Sequence, residues 1–222
     1  MAQTNKNCNN IQAEEVVKLP DDGCVMDDRG DEQTAKPDLL LHSCCGPCST
    51  SVVERLADEF NVTVFFFNPC ITDQEEYRKR RAAQIQFIEQ FNEENMGRTH
   101  INFREGDYSP GAFFEATKGL GNEPEGGARC TVCFRQRLER TAETASLTGC
   151  DYFGTTLTVS PHKNYKLISE IGRDLALRYN LSFLDRDFKK KDGFARSIRL
   201  SKKYNLYRQN YCGCKYSERK GE

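Results

Sequence analysis

The chain lacks several patterns that would place it in a common protein class. No apolar run in its 222 residues approaches the roughly 20 residues that a membrane-spanning helix requires. Residues 1–30 have no basic start followed by an apolar stretch, which argues against a secretory signal. No internal repeat occurs, and neither does the glycine fingerprint of a nicotinamide or flavin site or the lysine motif of a P-loop. We therefore expect a cytoplasmic protein without a membrane segment.

Cysteine, by contrast, is abundant and unevenly distributed. The chain has 11 cysteines, an odd number, and it is longer than most secreted disulfide scaffolds, so free thiols or metal ligands are the better interpretation. Four cysteines are isolated, namely Cys8, Cys24, Cys70 and Cys150. The other seven fall into three groups: Cys44, Cys45 and Cys48; Cys130 and Cys133; Cys212 and Cys214. Cysteines buried only for packing would be more scattered.

Strand and helix patterns alternate along most of the chain. Residues 1–37 are polar and acidic without a helical or alternating period, which predicts a disordered extension before a single domain at residues 38–222. Strands are predicted at residues 39–42, 62–67, 100–103, 151–157 and 181–184. Helices are predicted at about 47–60, 72–95, 112–117, 129–147, 165–179 and 193–204. This alternation favours an α/β fold, a Rossmann-like parallel sheet covered by helices on both faces.

The cysteine groups lie where such a fold places its sites. Open parallel sheets bind ligands beyond the carboxyl ends of their strands. Cys44, Cys45 and Cys48 follow the first predicted strand directly, and the loop that contains Cys70 follows the second. These segments can therefore share one edge of the sheet.

The three groups together indicate a metal centre. Thiolates at 44–48 are favoured by the amino end of the following helix, and Cys130 and Cys133 can occupy one face of another helix. Seven sulfurs exceed the four that one zinc ion or one cubane cluster needs. Their spacing differs from the paired knuckles of zinc ribbons, which favours an iron–sulfur cluster over zinc.

The chain resembles the cobalamin-independent epoxyqueuosine reductases, the QueH family, over about residues 39–217. The resemblance rests on five motifs that the sequence contains in order. They are His42-Ser43-Cys44-Cys45-Gly46-Pro47-Cys48; Phe67-Asn68-Pro69 with Glu76, Tyr77 and Arg80; Arg129-Cys130 with Cys133-Phe134 and Arg137-Leu138; Thr155-Thr156-Leu157 with Ser160-Pro161-His162-Lys163; and Tyr207-Arg208-Gln209 with Tyr211-Cys212-Gly213-Cys214 and Ser217. The loop at residues 68–73 departs from the family's usual Asn-Pro-Asn-Ile-His-Pro, so no role for that histidine carries over.

The resemblance implies the reductive removal of the epoxide oxygen from epoxyqueuosine in tRNA, which yields queuosine. It also implies a [4Fe–4S] cluster, a second cysteine-bound metal ion close by and an electron donor that the sequence does not identify. The predicted metal ligands are the seven grouped cysteines: Cys44, Cys45, Cys48, Cys130, Cys133, Cys212 and Cys214. The proton donor is unknown, and the polar candidates are Tyr77, Arg80, Arg129 and His162.

A basic carboxyl-terminal half is consistent with a tRNA substrate. Residues 129–222 contain 20 basic and 10 acidic residues, whereas residues 1–128 contain 12 and 23. An exposed helix face would explain such charges nearly as well. The predicted tRNA-contacting residues are Lys189, Lys190, Lys191, Arg196 and Arg199.

The sequence also allows three other interpretations of the chain's function. The first is a metal-free oxidoreductase that uses Cys130 and Cys133 as a dithiol. The second is a zinc-stabilised tRNA-binding module without catalysis. The third, an ATP-using tRNA modification enzyme, is disfavoured because residues 43–49 lack a glycine-rich phosphate loop.

Overall fold

The computed structural model describes residues 36–218 of the chain. The predicted disordered extension at residues 1–37 therefore lies outside the described residues, apart from Lys36 and Pro37. Cys8 and Cys24 lie outside them as well. The described residues belong to one compact unit.

Strands and helices alternate as the sequence predicts. The strands are β1 (Asp38–His42), β2 (Asn61–Phe66), β3 (Asn102–Glu105), β4 (Tyr152–Thr155) and β5 (Ser182–Phe183). The helices are α1 (Gly46–Leu56), α2 (Gln74–Glu94), α3 (Pro110–Ala116), α4 (Ala128–Leu147), α5 (Tyr165–Tyr179) and α6 (Gly193–Lys203). Two short 3-10 turns follow β4 and Cys214, at Thr156–Val159 and Lys215–Ser217.

All strand pairs are parallel, and the strand order is β3-β2-β1-β4-β5. The chain moves outward from β1 to β3 and then returns to place β4 on the other side of β1. This reversal leaves a crevice beyond the carboxyl ends of β1 and β4, the usual ligand position in open parallel sheets. The predicted Rossmann-like architecture is confirmed.

Alternating residues of β1 supply two cores, one on each face of the sheet. Leu39 and Leu41 pack into one apolar cluster with side chains from α1 and α2. Leu40 packs into the other cluster with side chains from α4 and α5. All three leucines are almost fully buried, which is the pattern of a central strand covered on both faces. The helices therefore cover both faces, as predicted.

The predicted bounds of β3 and β4 differ from the observed ones by up to two residues, whereas those of the other three strands differ by no more than one. β3 begins at Asn102 rather than at residue 100, because the Asn92 side chain bonds both backbone groups of Ile101. β4 ends at Thr155 rather than at residue 157, because the Thr155 hydroxyl accepts a hydrogen bond from the Leu157 amide and starts a 3-10 turn. In both places a side chain satisfies backbone groups that a strand would have paired.

Candidate metal centre

One cavity lies at the carboxyl edge of the sheet, beside the point where the strand order reverses. Its volume is about 230 Å³, and it is bordered by the turn after β1 and by the segment after β4. Its lining includes three predicted metal ligands and four arginine or lysine side chains: Cys44, Cys48, Cys212, Arg80, Arg137, Lys163 and Arg208.

Close packing against α2 shapes the turn after β1. Cys45 has an extended backbone directly before α1, and Gly46 then approaches α2 so closely that a Cβ atom would lie 2.4 Å from the Ala83 carbonyl oxygen. The Ser43 hydroxyl donates a hydrogen bond of 2.8 Å to the Gln84 side-chain oxygen. Only glycine fits at position 46, so this contact fixes the direction in which the adjacent cysteines project.

The thiols of Cys44, Cys45 and Cys48 lie close enough together to change one another's pKa. The interaction with Cys45 and Cys48 lowers the pKa of Cys44 well below its ordinary value, although burial opposes this. The same interaction with Cys44 raises the pKa of Cys45 to about 12 and that of Cys48 well above its ordinary value. The Gln209 amide donates to the Cys45 sulfur at 3.0 Å. Metal ligation requires the thiolate form of each of these cysteines, so metal binding would release protons from this group.

A second sulfur pair lies on the neighbouring part of the edge. Cys70, in the loop after β2, lies in one apolar cluster with Cys133 of α4. The interaction between the two thiols lowers the pKa of Cys70 to about 6 and raises that of Cys133 well above its ordinary value. Both thiols and Cys214 are buried within one small apolar cluster. Cys70 was not among the predicted ligands, yet it contacts one of them.

Arg80 holds the segment that carries Cys212 against α2. Its guanidinium donates to the carbonyl oxygens of Tyr211 and Cys212 at 3.1 and 3.0 Å, and it forms an ion pair with Glu76 at 2.7 Å. Gly213 follows with φ +114, a left-handed conformation that other residues rarely adopt. Arg80 therefore acts as a structural clamp on one predicted ligand.

Arg137 lies among sulfurs from four segments of the chain. It follows Cys133 by one turn of α4, it is 1% exposed, and its Nε donates to the Cys133 carbonyl oxygen at 3.2 Å. Its buried Nη2 has no hydrogen-bond partner among the described residues. Although burial lowers the pKa of Arg137, the neighbouring thiols raise it overall; they are Cys133, Cys70, Cys44 and Cys212.

Two further residues with basic side chains lie near these cysteines. The Lys163 ammonium donates to the Cys212 sulfur at 3.2 Å. Burial lowers the pKa of Lys163, but the Cys212 and Cys44 thiols together raise it overall. His42 is buried between the Thr155 hydroxyl and the Phe67 carbonyl oxygen, and burial followed by the charge of a nearby arginine lowers its pKa to about 3. His42 is therefore neutral and ties β1 to both neighbouring segments.

The predicted ligand Cys130 packs against the apolar cluster that contains Cys44 and Cys45. Its sulfur accepts a hydrogen bond of 3.2 Å from the Gly126 amide, and within residues 36–218 no hydrogen bond joins it to another cysteine. No group of three or more Cys, His, Asp or Glu side chains in that range has the arrangement of a single-ion site.

The donor set nevertheless suits a cluster. A cubane takes one cysteine at each iron and is wider than a single ion, so its ligands stand around a space rather than converge on a point. Buried thiols from separate segments, with an unpartnered guanidinium nitrogen between them, fit a cysteine-bound anionic cluster at this cavity.

The four polar candidates have different surroundings. The Tyr77 hydroxyl donates to Glu105 at 3.0 Å and does not line the cavity, whereas Arg80 lines it but is already committed to three acceptors. Arg129 is buried and donates to three carbonyl oxygens of the loop before α4. His162 is exposed at the cavity, and its side chain has no hydrogen-bond partner within the described part of the chain. His162 is thus the candidate best placed to reach a substrate.

The five basic candidates are also separated by the fold. The Lys189 ammonium bonds the carbonyl oxygens of Thr158 and Lys163, and Arg196 forms a two-bond ion pair with Glu54. The remaining three are exposed and form no ion pair within residues 36–218: Lys190, Lys191 and Arg199.

Several residues of the centre had no role in the sequence prediction. Arg137 could have been noticed because it lies four residues after Cys133 and hence on the same helix face. Lys163, His42 and Gln209 belong to the matched motifs, but nothing in their spacing indicated contact with sulfur. Cys70 carried a weak signal, since its loop follows a strand at the predicted edge.

No helix in the described range is long and apolar enough to cross a bilayer. Comparison with known proteins places the chain more specifically. The sequence model of the family described as epoxyqueuosine reductase QueH matches residues 39–220.

Three proteins named epoxyqueuosine reductase QueH illustrate the match. The protein from Staphylococcus epidermidis is 44% identical over 187 residues, which cover 83% of this chain and 78% of the relative. The protein from Streptococcus pyogenes is 42% identical over 84% of this chain and 72% of its own length. The protein from Thermotoga maritima is 37% identical over 81% and 89% of the two chains. The chain therefore belongs to the QueH family of epoxyqueuosine reductases.

Proposed function

We propose that this chain reduces epoxyqueuosine to queuosine in tRNA at the cavity beyond β1 and β4. The reaction converts an epoxide into an alkene, consumes two electrons and two protons, and releases the oxygen as water. The observation that supports this site is the gathering of buried thiols from separate segments beside a cationic cavity at the switch point of the sheet. The names of the relatives in the comparisons support the reaction.

The cofactor part of the proposal is a [4Fe–4S] cluster with a second cysteine-bound metal ion. Such a cluster would supply electrons, and an adjacent metal would polarise the departing oxygen. The residues proposed to hold them are Cys44, Cys45, Cys48, Cys130, Cys133, Cys212 and Cys214. The thiol pair formed by Cys70 and Cys133 places Cys70 beside this set.

The chain's own residues bind and orient the substrate. Cations at the cavity wall favour electron-rich groups such as the epoxide oxygen, since few water molecules screen charge in a recess of this size. We propose His162 as the proton-handling residue, because it combines exposure at the cavity with a side chain that the described structure does not engage. Arg80 and Arg129 would instead hold the two loops that frame the site.

The proposed tRNA contacts are the exposed basic residues near α6. Lys190, Lys191 and Arg199 are available to phosphates, whereas Lys189 and Arg196 have protein partners. Contacts of this kind position a nucleic acid without reading its sequence. A tRNA substrate also implies action in the cytoplasm, with an electron donor yet to be identified.

The test is turnover by anaerobically purified full-length chain. Transfer RNA that carries epoxyqueuosine would be incubated with the protein and a chemical reductant, and its nucleosides would be analysed for queuosine, with iron and sulfide measured on the same sample. The matched control is Cys150→Ser, because Cys150 lies before β4, at the opposite edge of the sheet. Conversion by iron-loaded protein and by the control supports the proposal. Conversion by metal-free protein would favour the dithiol enzyme, and bound zinc without conversion would favour the binding module.

A further inference from the structure

Two basic side chains that line the cavity and are buried or half-buried have no carboxylate partner among the described residues. Arg137 is 1% exposed, and one of its terminal nitrogens is buried without a hydrogen bond. Lys163 is half-buried and directs its ammonium to the Cys212 sulfur at 3.2 Å. Within residues 36–218 neither forms an ion pair with Asp or Glu, although burying a cation without an anion is costly.

Arg80 shows that the same fold can supply carboxylates to buried cations. This neighbouring guanidinium is equally buried, and Glu76 lies 2.7 Å away. The carboxylate that lines the cavity, Glu125, is exposed and forms no ion pair with Arg137 or Lys163. The nearby groups that can become negatively charged are cysteine thiols instead.

Both cations also lie against the same aromatic ring. The charged groups of Arg137 and Lys163 are 5.7 and 5.8 Å from the centre of the Phe134 ring. Phe134 is buried in α4, so its position is fixed and the two cations share one wall of the cavity. Their charges therefore act together on whatever the thiols bind.

We propose that Arg137 and Lys163 are the counter-charges of the cysteine-bound cluster and that they raise its reduction potential. The inference rests on the cofactor part of the proposed function. A cluster bound by thiolates is anionic, and it becomes more negative when it accepts an electron. Nearby cations and hydrogen bonds to sulfur stabilise that reduced form, and both are established controls of cluster potential. Arg137 and Lys163 would thus act on the cluster through its thiolate ligands, as positioning residues.

The experiment measures the midpoint potential of the cluster in the full chain, by anaerobic reductive titration followed by absorbance and electron paramagnetic resonance. The variants that remove charge are Arg137→Gln and Lys163→Met, and Arg137→Lys retains it. The matched control is Arg135→Gln, because Arg135 is on the same helix but is 46% exposed and paired with Asp174. Iron and sulfide content are determined for every sample.

We expect the midpoint to fall in both charge-removing variants, to stay near the wild-type value in Arg137→Lys and to be unchanged in Arg135→Gln. The inference is overturned if iron-loaded Arg137→Gln and Lys163→Met titrate like the wild type, or if Arg137→Lys shifts as far as Arg137→Gln. If the charge-removing variants bind no iron, normal loading of Arg137→Lys and Lys163→Arg supports the counter-charge role, and failure of these two to load overturns it. A wild-type chain without iron and sulfide would refute the cofactor proposal and this inference with it, whereas unshifted loaded variants refute the inference alone.

Discussion

Replacing Arg80 by methionine should destabilise the chain because it removes one partner of a buried ion pair. Arg80 is 1% exposed and Glu76 is 7% exposed, and the carboxylate would keep only the Tyr207 hydroxyl as a partner, at 2.6 Å. Two carbonyl oxygens, those of Tyr211 and Cys212, would lose their donors as well. Removing one side of a buried pair costs about 3–5 kcal/mol.

For a domain of this size, about 1 kcal/mol shifts the thermal midpoint by about 2–4 °C, so Arg80→Met should lower it by about 6 to 20 °C. The assay is thermal unfolding of anaerobically purified full chain followed by circular dichroism, with iron content measured on the same samples. We also expect less bound iron, since Arg80 positions the carbonyl group of Cys212.

The control for this prediction is the adjacent residue. Arg81 also pairs with a carboxylate, but it is 41% exposed, and exposed pairs contribute about 0–1 kcal/mol. Arg81→Met should therefore change the midpoint by only a few degrees. The double variant Glu76→Met with Arg80→Met should be less destabilised than the sum of the single variants by about 0.5–3 kcal/mol. A midpoint for Arg80→Met like that of Arg81→Met, or strict additivity in the double variant, would refute the argument.

Three further predictions concern the proposed cysteine ligands, the turn between Cys212 and Cys214, and the exposed basic residues proposed to contact tRNA. Single serine substitutions should abolish turnover at six cysteines that occur in paired groups: Cys44, Cys45, Cys130, Cys133, Cys212 and Cys214. The same substitution at Cys8, Cys24 or Cys150 should leave turnover intact, as measured by conversion of epoxyqueuosine together with iron content. Full activity and full iron content in all six variants would contradict the ligand assignment. Gly213→Ala should destabilise the chain by about 1–3 kcal/mol and reduce iron loading, because its Cβ would lie 3.0 Å from Ile71 at φ +114, whereas Gly111→Ala, which meets open space, should have little effect in the same unfolding assay. Neutralising Lys190, Lys191 and Arg199 should weaken tRNA binding and flatten its salt dependence by up to about one unit of slope for each lost phosphate contact, and an unchanged slope would assign these residues to an ordinary solvated surface.

Much of the fold could be predicted because local signals agreed with the tertiary structure. The helix predicted at residues 165–179 is α5 with the same bounds, since Asn164 caps its first turn and Asn180 ends it in a left-handed conformation. β1 and β2 were predicted from apolar runs, and both are buried central strands. The ends of β3 and β4 could not be predicted, because they depend on which side chain reaches a backbone group.

The site was predictable in its components but not in its contacts. Spacing predicted which cysteines belong to paired groups, and the parallel sheet predicted which edge would hold the first of them. The contact between Cys70 and Cys133 joins residues 63 positions apart in the sequence, so it depends on how α4 is rotated against the sheet. No local pattern encodes that rotation.

The basic run at residues 189–191 illustrates the same limit at the surface. Consecutive lysines predicted one shared role, yet Lys189 turns inward to bond two carbonyl oxygens while Lys190 and Lys191 are exposed. The backbone changes direction here, with left-handed conformations at Lys191 and Asp192 (φ 53 and 57). Adjacent residues of like charge therefore divide between anchoring the cavity wall and facing solvent.

Lys189 links this basic surface to the metal centre. Its ammonium bonds the Lys163 carbonyl oxygen, and the Lys163 side chain in turn donates to the Cys212 sulfur. Because metal binding requires thiolates, the negative charge around Lys163 and Arg137 would increase as the site is loaded, and the two cations would gain their anionic partners at that moment. Loading of the proposed metal centre would therefore act on groups that share hydrogen bonds with Lys189, next in sequence to the exposed Lys190 and Lys191 that are proposed to contact tRNA.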